Sequence, residues 1–210
     1  MKTLGLVKKD HIQLINPSAE LIEKVKDDKT QMTKFIMNLQ LMNKEVKSVY
    51  QFFCEKNAKN NEISRIKFFE VNKFPDGIFI CFNDDSSVDC YICELKATPS
   101  NKLEQLKEQL FSGYVHCKSL LAMLDVPLNV IRYRFMVFLV NDKNTMAEHN
   151  LNNFKKVIPG KPVVNMSDYE LWRRNKAIYK NGEYVFSMDI EKYQMNNLVN
   201  PDEYVYEYHL

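Results

Sequence analysis

Two apolar segments separated by a short polar stretch place the strongest limit on the fold. Residues 77–82 and 88–97 each have the length of a strand, and residues 83–87 between them are turn-forming. This pattern predicts an antiparallel β-hairpin. Residues 130–140 are almost continuously apolar and rich in β-branched and aromatic side chains, which is typical of a strand inside a sheet. A chain with these segments is expected to have a β-sheet at its core.

A helix is predicted between the hairpin and this last strand. It is expected to begin near residues 98–101, and its apolar side chains recur at three- and four-residue steps, which makes one buried stripe. The stripe consists of Leu103, Leu106, Leu110, Tyr114, Cys117, Leu121 and Leu124. A helix that crosses between two strands of one sheet indicates that the two strands are parallel.

The N-terminal third is predicted to be helical. A short helix is expected from Pro17 to about Lys26, because proline is favoured at the first helical position. A longer helix is expected from about Thr30 to Lys56, where apolar residues again follow helical spacing. These residues are Met32, Phe35, Ile36, Leu39, Met42, Val46, Val49 and Phe53. Residues 63–71 are predicted to form a strand before the hairpin.

The last third of the sequence is expected to extend this core. A short helix is predicted at residues 145–156, and a hairpin at residues 179–184, where an Asn-Gly pair lies between aromatic side chains. The fold class is therefore α/β, with a mixed central β-sheet flanked by helices in the order helix-strand-strand-strand-helix-strand, and with a C-terminal β-hairpin extension. We expect a single domain over residues 1–210, with a core at 30–140 and the extension at 141–210.

Composition and cysteine usage indicate the cellular location of the protein and the redox state of its cysteines. No stretch approaches the roughly 20 apolar residues of a membrane span, and no signal peptide is visible, so a cytoplasmic location without membrane contact is expected. The five cysteines are expected to be reduced. Cys90 and Cys93 have a spacing found in zinc sites. Because residues three apart on a strand point to opposite faces, we predict that they do not bind zinc.

Three residues are predicted to meet at one end of the hairpin. Asp76 precedes its first strand, and Glu94 and Lys96 lie at the end of its second strand, two residues apart and therefore on one face. Two carboxylates suit Mg²⁺, which prefers oxygen ligands and keeps several waters. An ammonium group suits the stabilisation of charge that develops on a phosphate. This combination indicates phosphodiester hydrolysis.

The motif Pro-Asp at 75–76 followed by Glu-Leu-Lys at 94–96, on this order of elements, resembles the PD-(D/E)XK nuclease superfamily over residues 30–140. The resemblance implies a restriction-endonuclease-like core and a Mg²⁺-dependent nuclease, with Mn²⁺ as a substitute. It implies that Asp76 and Glu94, joined by the backbone carbonyl of Leu95, hold the metal. It implies that Lys96 is the catalytic lysine.

The same resemblance implies further residues around the site. Many members carry a glutamine on the helix after the motif, and Gln105 and Gln109 are the candidates, with Gln109 assigned to catalysis and Gln105 to nucleic-acid binding. Lys102 precedes this helix and is a candidate nucleic-acid-binding residue. The tyrosine of exonuclease-like members would stand four residues after the glutamine, whereas Tyr114 stands five after Gln109, so endonuclease action is favoured.

Two questions about the site stay open at this point. Many members place an acid on the first core helix, and Glu45 and Glu55 both qualify. Arg173 and Arg174 belong to a basic-aromatic cluster, together with Trp172, that could grip a nucleic-acid backbone, although a solvated hairpin surface is the simpler interpretation.

The expected function is metal-dependent hydrolysis of DNA, with nucleic acid as the partner. The formal charge is only +2, so contacts with nucleic acid have to come from a local basic surface. The low charge also motivates an alternative, which is an inactive or partner-dependent nucleic-acid-binding or interaction subunit on the same fold, working with a protein partner or as a homo-oligomer. An RNA-cleaving enzyme would use the same residues.

Overall fold

A seven-stranded sheet runs through the centre of the structure, a computed structural model that describes residues 7–26, 32–42, 45–58, 61–66, 73–98, 102–141, 168–197 and 202–210. In chain order the elements are β1 (Ile12–Ile15), β2 (Ser18–Lys26), β3 (Met32–Gln40), β4 (Val46–Phe52), β5 (Glu55–Ala58), β6 (Asn61–Ser64), β7 (Gly77–Asn83), β8 (Val88–Lys96), α1 (Leu103–Met123), β9 (Ile131–Leu139), α2 (Asp168–Arg173), β10 (Lys176–Asn181), β11 (Tyr184–Gln194), β12 (Asn196–Asn197) and β13 (Glu203–His209). The fold class is α/β, with mixed sheets and few helices in the described ranges.

The strands form three sheets. The seven-stranded sheet has the order β1-β4-β7-β8-β9-β11-β10, a four-stranded sheet has the order β12-β13-β3-β2, and β5 pairs with β6 alone. Both larger sheets are mixed, because β8, β9 and β11 run parallel to one another and β13 runs parallel to β3. None of the helices in the described part of the chain has the length and apolar character needed to cross a membrane.

The predicted hairpin, crossover helix and central strand are confirmed. Strands β7 and β8 pair antiparallel, with Gly77 opposite Cys93 and Phe82 opposite Val88. Strand β9 lies on the other side of β8 and runs parallel to it, and α1 makes the crossover between them. These segments were predictable because their apolar residues are continuous along the buried strands and helical in spacing along α1.

The predicted short helix at residues 17–26 is wrong, because this segment is strand β2. Leu21 is 4% exposed, whereas its neighbours Glu20 and Ile22 are exposed, which is the period-two burial of a strand. Strand β2 pairs antiparallel with β3 over nine residue pairs. The hydrogen bonds and the buried face that β3 offers therefore override the local preference for a helix start.

The predicted long helix at residues 30–56 is also wrong, because it is replaced by strands β3 and β4. Phe35, Met37 and Leu39 are 1–2% exposed and alternate with half-buried residues. The helical spacing required Ile36 on the same face as Phe35, but Ile36 lies on the opposite face of the sheet. The apolar residues of this region fit both the helical period and the two-residue period of a strand. Pairing with strands that are distant in the chain favours the strand over the helix.

The two faces of the seven-stranded sheet are covered differently. Helix α1 packs on one face, where Ile92 and Leu106 belong to one apolar cluster. The four-stranded sheet packs on the other face, where Cys93 and Phe35 share a cluster. Cys90 lies in a cluster with α1 residues, so Cys90 and Cys93 do point to opposite faces as predicted. None of the five cysteines, all of which are described and buried, is in a disulfide.

The C-terminal part contributes strands to both large sheets. The hairpin predicted at residues 179–184 is confirmed as β10 and β11, and β11 pairs with β9 in the central sheet. Strand β13 pairs with β3, so the tyrosine-rich tail joins the N-terminal strands. Strand β6 covers only the start of the strand predicted at 63–71, most of which lies outside the described residues, as does the predicted helix at 145–156.

Gly77 allows the two large sheets to approach each other at the start of β7. A Cβ atom at this position would lie 2.4 Å from Cδ1 of Leu21 on β2. Contacts this short are not tolerated by packed side chains, so either the leucine or the backbone would have to move. The absence of a side chain at Gly77 therefore determines how closely β2 lies over the residues that follow Asp76.

We expect Gly77→Ala to lower the free energy of unfolding by about 1–3 kcal/mol through overpacking, and Leu21→Ala to lower it by about 2–5 kcal/mol through a cavity. Because each change relieves the fault of the other, the double variant should lose less than the sum of the two. Urea unfolding of the four proteins measures this coupling. Strictly additive losses would contradict the packing of β2 on β7.

Candidate functional site

Asp76, Glu94 and Lys96 meet at the end of the β7–β8 hairpin, as the sequence predicts. The backbone N–H of Asp76 donates to Oε2 of Glu94 at 3.2 Å. The backbone N–H of Leu95 donates to Oδ2 of Asp76 at 2.6 Å. The ammonium of Lys96 forms an ion pair with Oε1 of Glu94. The reciprocal bonds between the two strands hold both carboxylates at one point.

Burial and neighbouring charges shift the pKa values of both members of this ion pair. The side chain of Glu94 is completely buried, and that of Lys96 is 12% exposed. Desolvation raises the pKa of Glu94 well above its usual value, the charge of Asp76 raises it further, and Lys96 opposes both. Burial acts to lower the pKa of Lys96, but the charges of Glu94 and Asp76 outweigh it and raise that pKa. Lys96 is therefore a firmly protonated ammonium close to the surface.

A third acid, Glu23, lies within electrostatic reach of the same site. Glu23 is opposite Phe35 in the β2–β3 pairing, so its side chain points towards the central sheet as Phe35 does. Desolvation raises the pKa of Glu23, and the charges of Lys96 and Lys102 oppose that shift. Sequence reasoning missed this residue because it placed residue 23 on a helix. Strand alternation with Leu21 was the signal that could have revealed it.

The two acids proposed from sequence as an upstream contributor lie elsewhere. The carbonyl of Glu45 accepts a hydrogen bond from the N–H of Asp84 at 3.0 Å, at the opposite end of β7 from Asp76. The carboxylate of Glu55 lies beside Cys54 and acts on the buried ring of His116. The expectation of a first core helix carrying this acid fails because that region forms strands.

Helix α1 anchors the segment that leads into Asp76. The side-chain amide of Gln109 donates to the carbonyl of Phe74 at 2.8 Å and is 6% exposed. Its Oε1 atom is buried and, among the described residues, has no hydrogen-bond partner. A Cβ at Gly113 would lie 3.0 Å from Cγ of Pro75, so α1 approaches this segment closely. Gln109 therefore fixes the segment that directly precedes Asp76, through its hydrogen bond to Phe74.

The remaining predicted residues lie at the edges of this arrangement or away from it. Lys102 is exposed immediately before α1, and Gln105 is half-buried on the first turns of that helix. Arg173 and Arg174 are exposed at the end of α2, a different element from those that carry the three motif residues.

The tryptophan of the basic-aromatic cluster is part of the core. Trp172 is 1% exposed, and the ammonium of Lys192 lies 3.7 Å from the centroid of its ring. Lys192 also donates to the carbonyl of Trp172 at 2.6 Å. Because its ring is buried against this lysine, Trp172 does not offer a stacking platform for bases.

The donor set at the hairpin end is of the kind that suits a hard divalent cation. Asp76 and Glu94 supply carboxylate oxygens, and the backbone of Leu95 lies between them in the network. Three acids, counting Glu23, act on the ammonium of Lys96, and carboxylate oxygens are the ligands that a hard divalent cation prefers. The described ranges contain no ready-made group of three or more His, Cys, Asp or Glu side chains around a metal position.

The chain was compared with protein-family models, with curated proteins and with solved structures, and none of the three comparisons found a match. The site consists of the Glu94–Lys96 ion pair and the Asp76 carboxylate, which accepts a hydrogen bond from the N–H of Leu95 on the same strand.

We expect the metal-free Glu94→Gln variant to gain stability relative to the wild type as the pH rises, because glutamine cannot ionise. Because the pKa of Glu94 is raised in the folded state, the folded protein keeps a proton that the unfolded chain releases near pH 4.3. This stabilisation is complete below about pH 4.3 and is lost as the pH rises through the raised pKa. Glutamine mimics the protonated form at every pH.

Urea unfolding in EDTA between pH 4 and pH 8 measures this difference. The gap between Glu94→Gln and the wild type should widen as the pH rises. Glu183→Gln is the matched control, because Glu183 is exposed in the turn between β10 and β11. Identical pH dependence for Glu94→Gln and the wild type would show that folding does not raise the pKa of Glu94.

Proposed function

We propose that this protein is a metal-dependent nuclease of the PD-(D/E)XK type that hydrolyses phosphodiester bonds of DNA. The observation that carries the proposal is the joining of Asp76, Glu94 and Lys96 through direct contacts at the end of one hairpin. On this proposal, β7, β8, α1 and β9 are the counterpart of a restriction-endonuclease-like core. The strands that precede β7 depart from the family pattern, which has a helix there.

Each motif residue has a distinct role in the proposed reaction. Asp76 and Glu94, with the carbonyl of Leu95, would hold Mg²⁺ or Mn²⁺. A bound divalent cation supplies neutralisation of the phosphate charge and a more acidic water. Lys96 keeps its proton near the surface and can stabilise charge that develops on the phosphate.

Two polar residues at the start of α1 support a nucleic-acid path beside the site. Lys102 is exposed, and its charge acts on Glu23 near Lys96. Gln105 is half-buried three residues further along. A lysine next to the reacting centre favours a phosphate backbone through electrostatic attraction. We assign Lys102 and Gln105 to substrate binding, and we keep Arg173 and Arg174 as a separate exposed candidate surface.

Endonuclease action is the form of the proposal that the surroundings of Tyr114 favour. The ring of Tyr114 lies 4.3 Å from that of Phe186 and 4.7 Å from that of Tyr133, measured between centroids. These contacts place Tyr114 in an aromatic cluster between α1 and strands β9 and β11. A tyrosine held in this way does not serve a reacting phosphate at the hairpin end, so the exonuclease pattern finds no support.

A second function is favoured by one specific observation. Both oxygens of Glu94 are engaged within the protein, one by the N–H of Asp76 and the other by Lys96. A carboxylate whose two oxygens are already occupied by groups of the same protein is the arrangement expected of an inactive or partner-dependent binding subunit. Metal binding separates the two functions, because an inactive scaffold should show no rise in melting temperature when Mg²⁺ or Mn²⁺ is added.

We expect Lys96→Ala to reduce Mg²⁺-dependent cleavage about 10²–10³-fold, because it removes the charge that would stabilise the phosphate. Wild type and variant are incubated with supercoiled, linear and single-stranded DNA and with RNA, in Mg²⁺ or Mn²⁺, and EDTA should abolish cleavage. The control is Lys176→Ala, since Lys176 is an exposed lysine paired only loosely with Asp189 at 3.7 Å. Cleavage by Lys96→Ala at the wild-type rate would refute the site.

A further inference from the structure

Strand β2 is a long edge strand of the four-stranded sheet. It pairs with β3 along nine residue pairs, and no other described strand pairs with its outer edge. The opposite edge of the same sheet is β12, which has only two residues. A long edge strand presents a row of backbone N–H and C=O groups to which another strand can bond. The outer edge of β2 is therefore a candidate interaction surface.

The hydrogen bonds between β2 and β3 show which backbone groups point to this outer edge. The N–H of Leu41 donates to the carbonyl of Pro17 at 3.1 Å, in continuation of the β2–β3 register. Bonded and non-bonded pairs alternate along an antiparallel ladder, and the nine pairs have no register shift. The odd-numbered residues of β2 therefore bond to β3. The backbone groups of Glu20, Ile22 and Lys24 point to the outer edge.

The side chains of these three residues lie on the face of the sheet that is turned away from the central sheet, since they alternate with the inward-facing residues of β2. All three are exposed, and Ile22 is 47% exposed. In register with Ile22 lie Ile36 of β3 and Val205 of β13, which together form an aliphatic row across the sheet. The row ends at the outer edge of β2, so a second sheet joined there would continue it.

One acidic and one basic side chain lie on either side of Ile22 at this edge. The polar contacts in the neighbouring rows join β3 to β13, as Lys34 does with Glu203 at 2.5 Å. Within the part of the chain that the structure describes, Glu20 and Lys24 form no ion pair. An antiparallel strand with the same sequence would offer each of them an opposite charge.

We propose that two copies of this chain associate edge to edge through β2, in antiparallel orientation, with Ile22 opposite Ile22 of the second copy. A two-fold axis then passes through this pair, and every contact occurs twice. Glu20 of each copy lies opposite Lys24 of the other, and the two aliphatic rows join into one. The two four-stranded sheets become one eight-stranded sheet. The inference does not depend on the proposed nuclease activity.

The charges favour this register over its neighbours. Among the symmetric pairings centred on the five residues from 20 to 24, those centred on Glu20, Glu23 or Lys24 place like charges directly opposite each other, which is destabilising. A pairing centred on Leu21 leaves Glu20 and Lys24 without a charged counterpart. The pairing centred on Ile22 is the one that gives both residues an opposite charge.

The first test exchanges these charges and measures association by sedimentation equilibrium. Glu20→Lys and Lys24→Glu each place two like-charged pairs across the two-fold axis, so each should weaken self-association at least about tenfold. An equimolar mixture of the two variants restores both opposite-charge pairs and should form heterodimers about as tightly as the wild type dimerises. Circular dichroism checks that each variant is folded, which is expected because both side chains are exposed.

Two results of this experiment would overturn the inference. One is a wild type that stays monomeric up to about 1 mM, the concentration at which even weak specific association is populated. The other is a mixture that associates no better than its two components, because that result would show that Glu20 and Lys24 do not face each other.

The second test measures the register by cross-linking. Directly opposed Cα atoms of a hydrogen-bonded antiparallel pair lie about 5.5 Å apart, which is within the range of a disulfide. Mild oxidation of Ile22→Cys should therefore give a covalent dimer. The matched control is Val185→Cys, since Val185 is a 58% exposed aliphatic residue on β11, and the native cysteines are buried. Equal cross-linking of the two variants would refute the pairing through β2.

Discussion

The completely buried carboxylate of Glu94 is the constraint on which the site depends. Removing a carboxylate from water costs several kcal/mol unless a partner compensates for it. Here the partners are the ammonium of Lys96 and the backbone N–H of Asp76, both supplied by the β7–β8 hairpin. The hairpin ends must therefore stay together for the charge to be tolerated. The same requirement leaves Asp76 next to Glu94, so that two carboxyl groups lie at one point of the structure.

The packing of two sheets extends this constraint across the molecule. Gly77 has no side chain, so Leu21 lies over the start of β7 and the four-stranded sheet approaches the hairpin end. That sheet is completed by β13, which pairs with β3 across more than 160 residues of sequence. On the other face, Gln109 and Gly113 of α1 hold the segment at Phe74 and Pro75. The site is thus fixed from both sides of the central sheet.

Much of the central unit could be predicted, because its signals are local. Strands β7, β8 and β9 are short apolar runs bounded by turns, and α1 has a long stripe of helical spacing. The N-terminal strands could not be predicted in the same way. Phe35, Ile36 and Leu39 fit a helical stripe as well as a strand, and the strand is preferred because Phe35 pairs with Tyr204 of β13. Such a partner contributes nothing to a pattern read in a short window of sequence.

The amino-acid sequence by itself determined the hairpin, the crossover helix, and the meeting of Asp76, Glu94 and Lys96, because the two strands are adjacent in the chain and their alternation sets the faces. It also determined that Cys90 and Cys93 point apart. Only the tertiary structure decided that the charge of Glu23, rather than that of Glu45 or Glu55, acts on Lys96. The physical reason is that this approach depends on how one sheet packs on another, through contacts between residues far apart in the chain.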